Sequence, residues 1–142
     1  MKDFAIKCCL CFLLFNATLH AGKPLAIERW QTKAGTPVLF YQAMDIPMLN
    51  ISLAFKAGSA YDKQQFGLSA LTTRLLNQGS DGLDANAFAY QLAETGAQFS
   101  SENNRDMIIL HLKTLTQKAP LNQATALFSR IINHPKFPPD AF

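Results

Sequence analysis

The hydrophobic period of the chain changes at Ala57-Gly58-Ser59, and this switch constrains the fold more than any other feature of the sequence. Before it, from Met48 to Lys56, apolar and polar side chains alternate. Leu49, Ile51, Leu53 and Phe55 fall on one side, and Asn50, Ser52, Ala54 and Lys56 on the other. A period of two marks a strand with one buried face. Beyond the switch, from Gly67 to Gln78, Leu68, Leu71 and Leu75 recur at helical spacing. That spacing predicts an amphipathic helix with the leucines as its buried stripe and Gly79 as its C-terminal stop.

The remaining segments continue the mixture. Glu28 to Lys33 and Pro37 to Gln42 are predicted strands about the turn Ala34-Gly35-Thr36. Asp84 is placed to cap a second helix with the inner face Ala85, Phe88, Ala89, Leu92 and Ala93, closed by Gly96. Ala97 to Ser101 and Asp106 to Leu115 follow as strands joined around Asn103-Asn104. Pro120 suits the first turn of a third helix, whose stripe is Leu121, Ala124, Leu127, Phe128, Ile131 and Ile132 and whose stop is His134-Pro135. The expected class is α+β, a largely antiparallel sheet packed against helices. The last residues, Phe137 to Phe142, look like the approach to a further helix, so the domain, residues 22–142, is expected to be incomplete.

The first 21 residues have the pattern of an export signal. Lys2 and Lys7 supply a positive start, Cys8 to Phe15 an apolar run, and Ala21 a small residue at the cut. The apolar run falls short of the roughly 20 residues that a helix needs to cross a bilayer, so no stable membrane span is expected after processing. The product would be periplasmic or secreted. Cys8, Cys9 and Cys11 all leave with the signal, and the mature chain then has no disulfide, no thiolate zinc site and no thiol nucleophile. Without Lys2, Lys7 and Asp3 the 13 basic and 10 acidic side chains fall to 11 and 9, scattered singly. No basic stripe exists for nucleic acid to grip.

Several short pieces occur in a fixed order: Lys56-Ala57-Gly58-Ser59, then Phe66-Gly67-Leu68-Ser69-Ala70-Leu71, then Asn77-Gln78-Gly79-Ser80. Leu92-Ala93-Glu94-Thr95-Gly96-Ala97 and Asn133-His134-Pro135-Lys136-Phe137 follow downstream. In this order the chain resembles the N-terminal part of the pitrilysin/insulinase family of zinc peptidases, across residues 28–142. The resemblance implies one incomplete family domain, of a kind that usually comes in pairs.

Active members of that family hold zinc through H-x-x-E-H on the helix after the Gly-Leu pair. Two imidazoles one turn apart bind the ion, and the Glu between them is the general base for its water. Laid on this chain, the first His position is Ala70, the Glu position Thr73 and the second His position Arg74. At helical spacing these three lie close together, roughly opposite the leucine stripe. A methyl group and a hydroxyl cannot replace an imidazole and a carboxylate, and a permanent guanidinium repels a metal cation. No zinc and no other cofactor is expected to bind. The family's further Glu ligand would fall beyond Phe142.

No other residues take over this chemistry. The mature chain has two histidines. His111 lies in a predicted strand on the more solvated face, and His134 stands at a helix end, where a cation suits the dipole. Neither has a second ligand at useful spacing. Asp81 and Asp84 about Gly82 fit a turn and a helix cap. There is no G-x-S-x-G, no plausible Ser/His/Asp set, no phosphate loop and no dinucleotide fingerprint. The resemblance therefore implies a non-catalytic homologue, the partner subunit of a catalytic family member, with peptide as a further ligand and Arg74 available to a substrate carboxylate. Two other readings stay open at this point. One is an active zinc endopeptidase with its ligands elsewhere; the other is a free-standing exported binding module.

Overall fold

The computed structural model describes residues 25–80 and 82–141. The expected export signal and Asp81 lie outside them. In chain order the elements are β1 Ile27–Gln31, β2 Pro37–Tyr41, β3 Met48–Phe55, α1 Leu68–Leu75, β4 Gly79–Ser80, β5 Leu83–Asp84, α2 Ala85–Glu94, β6 Gln98–Asn103, β7 Ile108–Leu115 and α3 Lys118–Asn133. Short 3-10 turns lie at Ser59–Tyr61 and Pro139–Ala141. The chain forms two compact units, one ending at Ala43 and the other beginning at Met44.

The first unit is a hairpin. β1 and β2 pair antiparallel with Arg29 opposite Leu39, and Gly35 closes the turn with φ 83°. Trp30 and Phe40 meet edge to face at 6.1 Å, a diagonal pair across the two strands. Both strands lie within two residues of their predicted ends.

The second unit is built on a three-stranded antiparallel sheet in the order β3-β7-β6. The alternation in the sequence sets its two faces. Ile108, Leu110, Leu112 and Thr114 of β7 are buried, and Leu53 and Phe99 flank them from β3 and β6. On the other face Asn50, Ser52, Ser100 and Lys113 are exposed around a half-buried His111. The stripe of α3 covers the inner face: Ala124, Leu127, Phe128 and Ile131 are buried, Leu121 and Ile132 half-buried. Ile131 at 0% and Leu112 at 1% exposure mark the centre of this core. α2 adds Phe88, and Phe99 of β6 meets Phe128 at 6.1 Å. The class is α+β, as the periodicity implied.

Three local expectations need correction. α1 buries Ser69, Thr73 and Leu75, while Leu68 and Leu71 are 47% and 42% exposed. The helix therefore turns a small, polar side inward, which lets it approach β6, where the Ser101 hydroxyl donates to the Thr73 carbonyl at 3.4 Å. α2 is narrower in contact than predicted: Phe88 is buried, Ala85 and Leu92 are half-buried, and Ala89 and Ala93 face water. Gly79 does not stop α1. It opens β4 opposite Asp84 with φ 154°, and a β-carbon there would crowd Leu83 O at 3.2 Å.

The other termini behave as the sequence implied. Asp84 caps α2 by accepting from the Ala87 amide at 2.7 Å. His134 ends α3, its amide still donating to the Arg130 carbonyl at 2.8 Å. Among the described residues no helix is long and apolar enough to cross a membrane.

Candidate functional site

The side chains at the expected metal positions are set by the segment that carries α1. Gly58 leaves β3 beside the loop between β6 and β7. A β-carbon there would run into the carbonyl oxygens of Asn104 and Arg105 and the amide of Met107. Without one, the Ser59 and Ala60 amides reach those two carbonyls at 3.0 and 2.8 Å. The turn that follows delivers Asp62, a buried carboxylate, to the N-terminus of α1. Its Oδ1 accepts from the Ser69 amide at 2.9 Å, and its Oδ2 from the Gly67 amide and the Ser69 hydroxyl, each at 3.1 Å. Gly67, with φ 88°, takes the left-handed conformation that lets the chain turn into the helix at this cap.

Asp62 therefore satisfies amides that would otherwise lack partners at a helix start. The sequence reading missed it. An acid a few residues before Gly-Leu was the available signal, but the cap closes over an irregular turn and not at the usual three-residue spacing.

From this anchor α1 presents the three positions. Ala70 and Arg74 are exposed one turn apart, and Thr73 is 4% exposed. The Thr73 hydroxyl donates to the Ser69 carbonyl at 2.7 Å, so it is held within the helix. Arg74 forms no ion pair among the described residues. Zinc needs nitrogen, sulfur or carboxylate donors in tetrahedral array. A methyl group, a committed hydroxyl and a cation do not fit it. Among the described residues no group of three or more His, Cys, Asp or Glu stands close enough to share a metal ion.

The two histidines lie apart from α1. His134 is exposed at the end of α3. His111 sits mid-sheet, its Nδ1 at 2.8 Å from the Ser52 hydroxyl and its Nε2 at 3.5 Å from Oε1 of Glu102. Here the structure brings together a serine, a histidine and a carboxylate that the sequence reading did not connect. The strand register does it, since Ser52 and Ser100 both stand opposite His111. The set is incomplete as a nucleophile relay. Glu102 is 64% exposed, and Nε2 has no hydrogen-bonded partner. A relay needs a base held in orientation by a third group at hydrogen-bond distance. The Ser52–His111 hydrogen bond ties the edge strand β3 to β7.

With this geometry in place, the comparisons with known proteins are informative. A model of the insulinase family, peptidase family M16, matches residues 39–142. A Helicobacter pylori protein described as "Non-peptidase homolog YmxG" is 28% identical over 99% of this chain, which covers 31% of that protein. A Pseudomonas fluorescens crystal structure described as a peptidase M16 inactive domain superposes with a TM-score of 0.80 at 34% identity, over 82% of this chain and 28% of that one. A structure described as a protease from Helicobacter pylori gives a TM-score of 0.70 at 18% identity over the same shares, which speaks to the fold alone. The chain spans less than a third of the length of each of these relatives.

Proposed function

The chain belongs to the insulinase family of peptidases, family M16, and from that premise we propose that it is a non-catalytic member, the partner subunit of an active relative. The observation that carries the proposal is the composition of α1, with Ala70, Thr73 and Arg74 where active members have H-x-x-E-H. Losing both imidazoles removes the ion. Losing the Glu removes the base that would activate its water. The descriptions of two relatives, a non-peptidase homologue and an inactive domain, agree with its non-catalytic part.

What remains when the chemistry is gone is a folded surface. Catalytic and degenerate domains of this family close on one another around a chamber, and the degenerate half then supplies wall and rigidity. The proposal includes export to the periplasm or outside the cell, with residues 1–21 removed and no cysteine left in the product. Fold alone does not define such a role, so the test is direct. A tagged full-length protein expressed in its own cell should co-purify with a chain carrying H-x-x-E-H. Adding the pure protein to that chain should raise its turnover of an unstructured peptide. Recovery of no H-x-x-E-H chain under mild crosslinking would refute the subunit role.

A further inference from the structure

We propose that His111 is a pH-sensitive clasp across the sheet: protonated, it grips β3 and β6 at once, and neutral, it grips β3 alone. The inference concerns the sheet itself and does not depend on the subunit role.

The strand register builds the device. His111 lies in the central strand β7, directly opposite Ser52 of β3 and Ser100 of β6. Glu102 stands one step further along β6, opposite Ile109, and reaches the imidazole on the diagonal. The ring thus spans the two outer strands. Its Nδ1 is 2.8 Å from the Ser52 hydroxyl, and its Nε2 is 3.5 Å from Oε1 of Glu102. Nε2 is shut off from solvent and has no hydrogen-bond partner. A buried polar atom left in that state calls for an explanation, and here a carboxylate stands beside it.

Protonation changes what the ring can do. A neutral imidazole has one donor and one acceptor nitrogen. If Nδ1 donates to Ser52, the bare Nε2 faces an oxygen that can only accept. If Nδ1 accepts from Ser52, Nε2–H faces Glu102 as a neutral donor beyond the usual hydrogen-bond distance. In the cation both nitrogens donate, one toward each outer strand, and the contact with Glu102 gains opposite charge. Glu102 is 64% exposed, so its side chain has room to close the remaining gap.

The other groups on this face do not cancel the pair. β3 contributes Asn50 and Ser52, and β6 contributes Gln98 and Ser100, none of them charged. Besides His111 and Glu102, the ionisable side chain of the three strands is Lys113. It stands opposite Asn50 and Gln98, on the side of His111 away from Glu102. Lys56 follows the end of β3, with its ammonium 5.9 Å from the centre of the Tyr61 ring. The stripe of α3 covers the opposite face.

The consequence reaches α1. β6 turns Ser101 to the inner face, where its hydroxyl donates to the Thr73 carbonyl at 3.4 Å. A firmer hold on β6 is therefore a firmer hold on the strand against which α1 docks. The extra hold is present while His111 is charged. It is lost as pH rises through the range of about 5 to 8 in which imidazoles titrate.

Amide hydrogen exchange of the full-length protein tests the clasp. Glu102→Gln is compared with wild type at the same pH, so the intrinsic pH dependence of exchange cancels. At about pH 5.5 free imidazole is largely charged and free carboxylate largely ionised. There the β6 amides should exchange about two- to fivefold faster in the variant, the range of an exposed ion pair. The α1 amides should follow in the same direction. At about pH 8 the two proteins should agree. In a His111→Gln background, Glu102→Gln should make no difference at either pH. Glu102 is exposed, so the first comparison stands even if the His111 variant folds poorly. A variant-to-wild-type ratio that is equal at the two pH values, or larger at the higher one, would overturn the proposal. A low-pH effect confined to β6 would remove its link to α1. No partner is present in the assay, so either outcome leaves the subunit proposal untouched.

Discussion

Gly58 shows how much one residue can fix. The Ala57-Gly58-Ser59 piece was legible in the sequence as a break between two periods and as a family-like motif. The physical demand for glycine was not legible, because the atoms that exclude a β-carbon belong to Asn104, Arg105 and Met107, remote in sequence. Gly58→Ala should cost about 1–3 kcal/mol, the usual penalty for forcing atoms into a packed site, seen as a lower urea midpoint. Asp62 makes the same point through polarity. Three donors converge on its carboxylate at the start of α1. Asp62→Ala should remove about 1–3 kcal/mol, and hydrogen exchange at the Ser69 amide should accelerate more than exchange in α3. A variant with native protection at Ser69 would show that the cap does not hold the helix.

At the scale of elements, β7 and α3 were read correctly and α1 was turned the wrong way. The reason lies in their surroundings. β7 is the central strand, with β3 and β6 on its two sides, and its alternation matches burial residue by residue. The stripe of α3 is wide and docks on that strand. α1 has eight residues and two competing faces, leucines on one and Ser69 and Thr73 on the other. Hydrophobic spacing alone favours the leucines. Close approach to β6 favours the small side chains, and close approach decided the outcome. The positions Ala70, Thr73 and Arg74 are proposed from a motif that is local in sequence, whereas the burial of Thr73 depends on docking. A paired substitution separates the two faces. Ile131→Ala should cost about 2–5 kcal/mol as a cavity in the core, and Leu71→Ala should stay within about 0.5 kcal/mol, as surface changes do. Chemical denaturation of both variants measures the contrast, and a large loss at Leu71 would restore the leucine stripe to the interior.

At the scale of the whole molecule, the chain belongs to family M16, and α1 is the helix proposed to stand where active members hold their metal. The β6–β7 loop, the turn before α1 and β6 hold α1 in place through Gly58, Asp62 and Ser101. The side chains delivered to the expected ligand positions are a methyl group, a hydroxyl committed to the Ser69 carbonyl and an exposed guanidinium. Family membership predicts zinc at this place, and the residues present argue against it. Direct metal analysis of the purified full-length protein, paired with hydrolysis of an unstructured peptide with and without chelator, decides between them. The expected result is zinc far below stoichiometric and no hydrolysis that chelator removes. Stoichiometric zinc, with proteolysis lost on chelation and recovered on zinc addition, would contradict it.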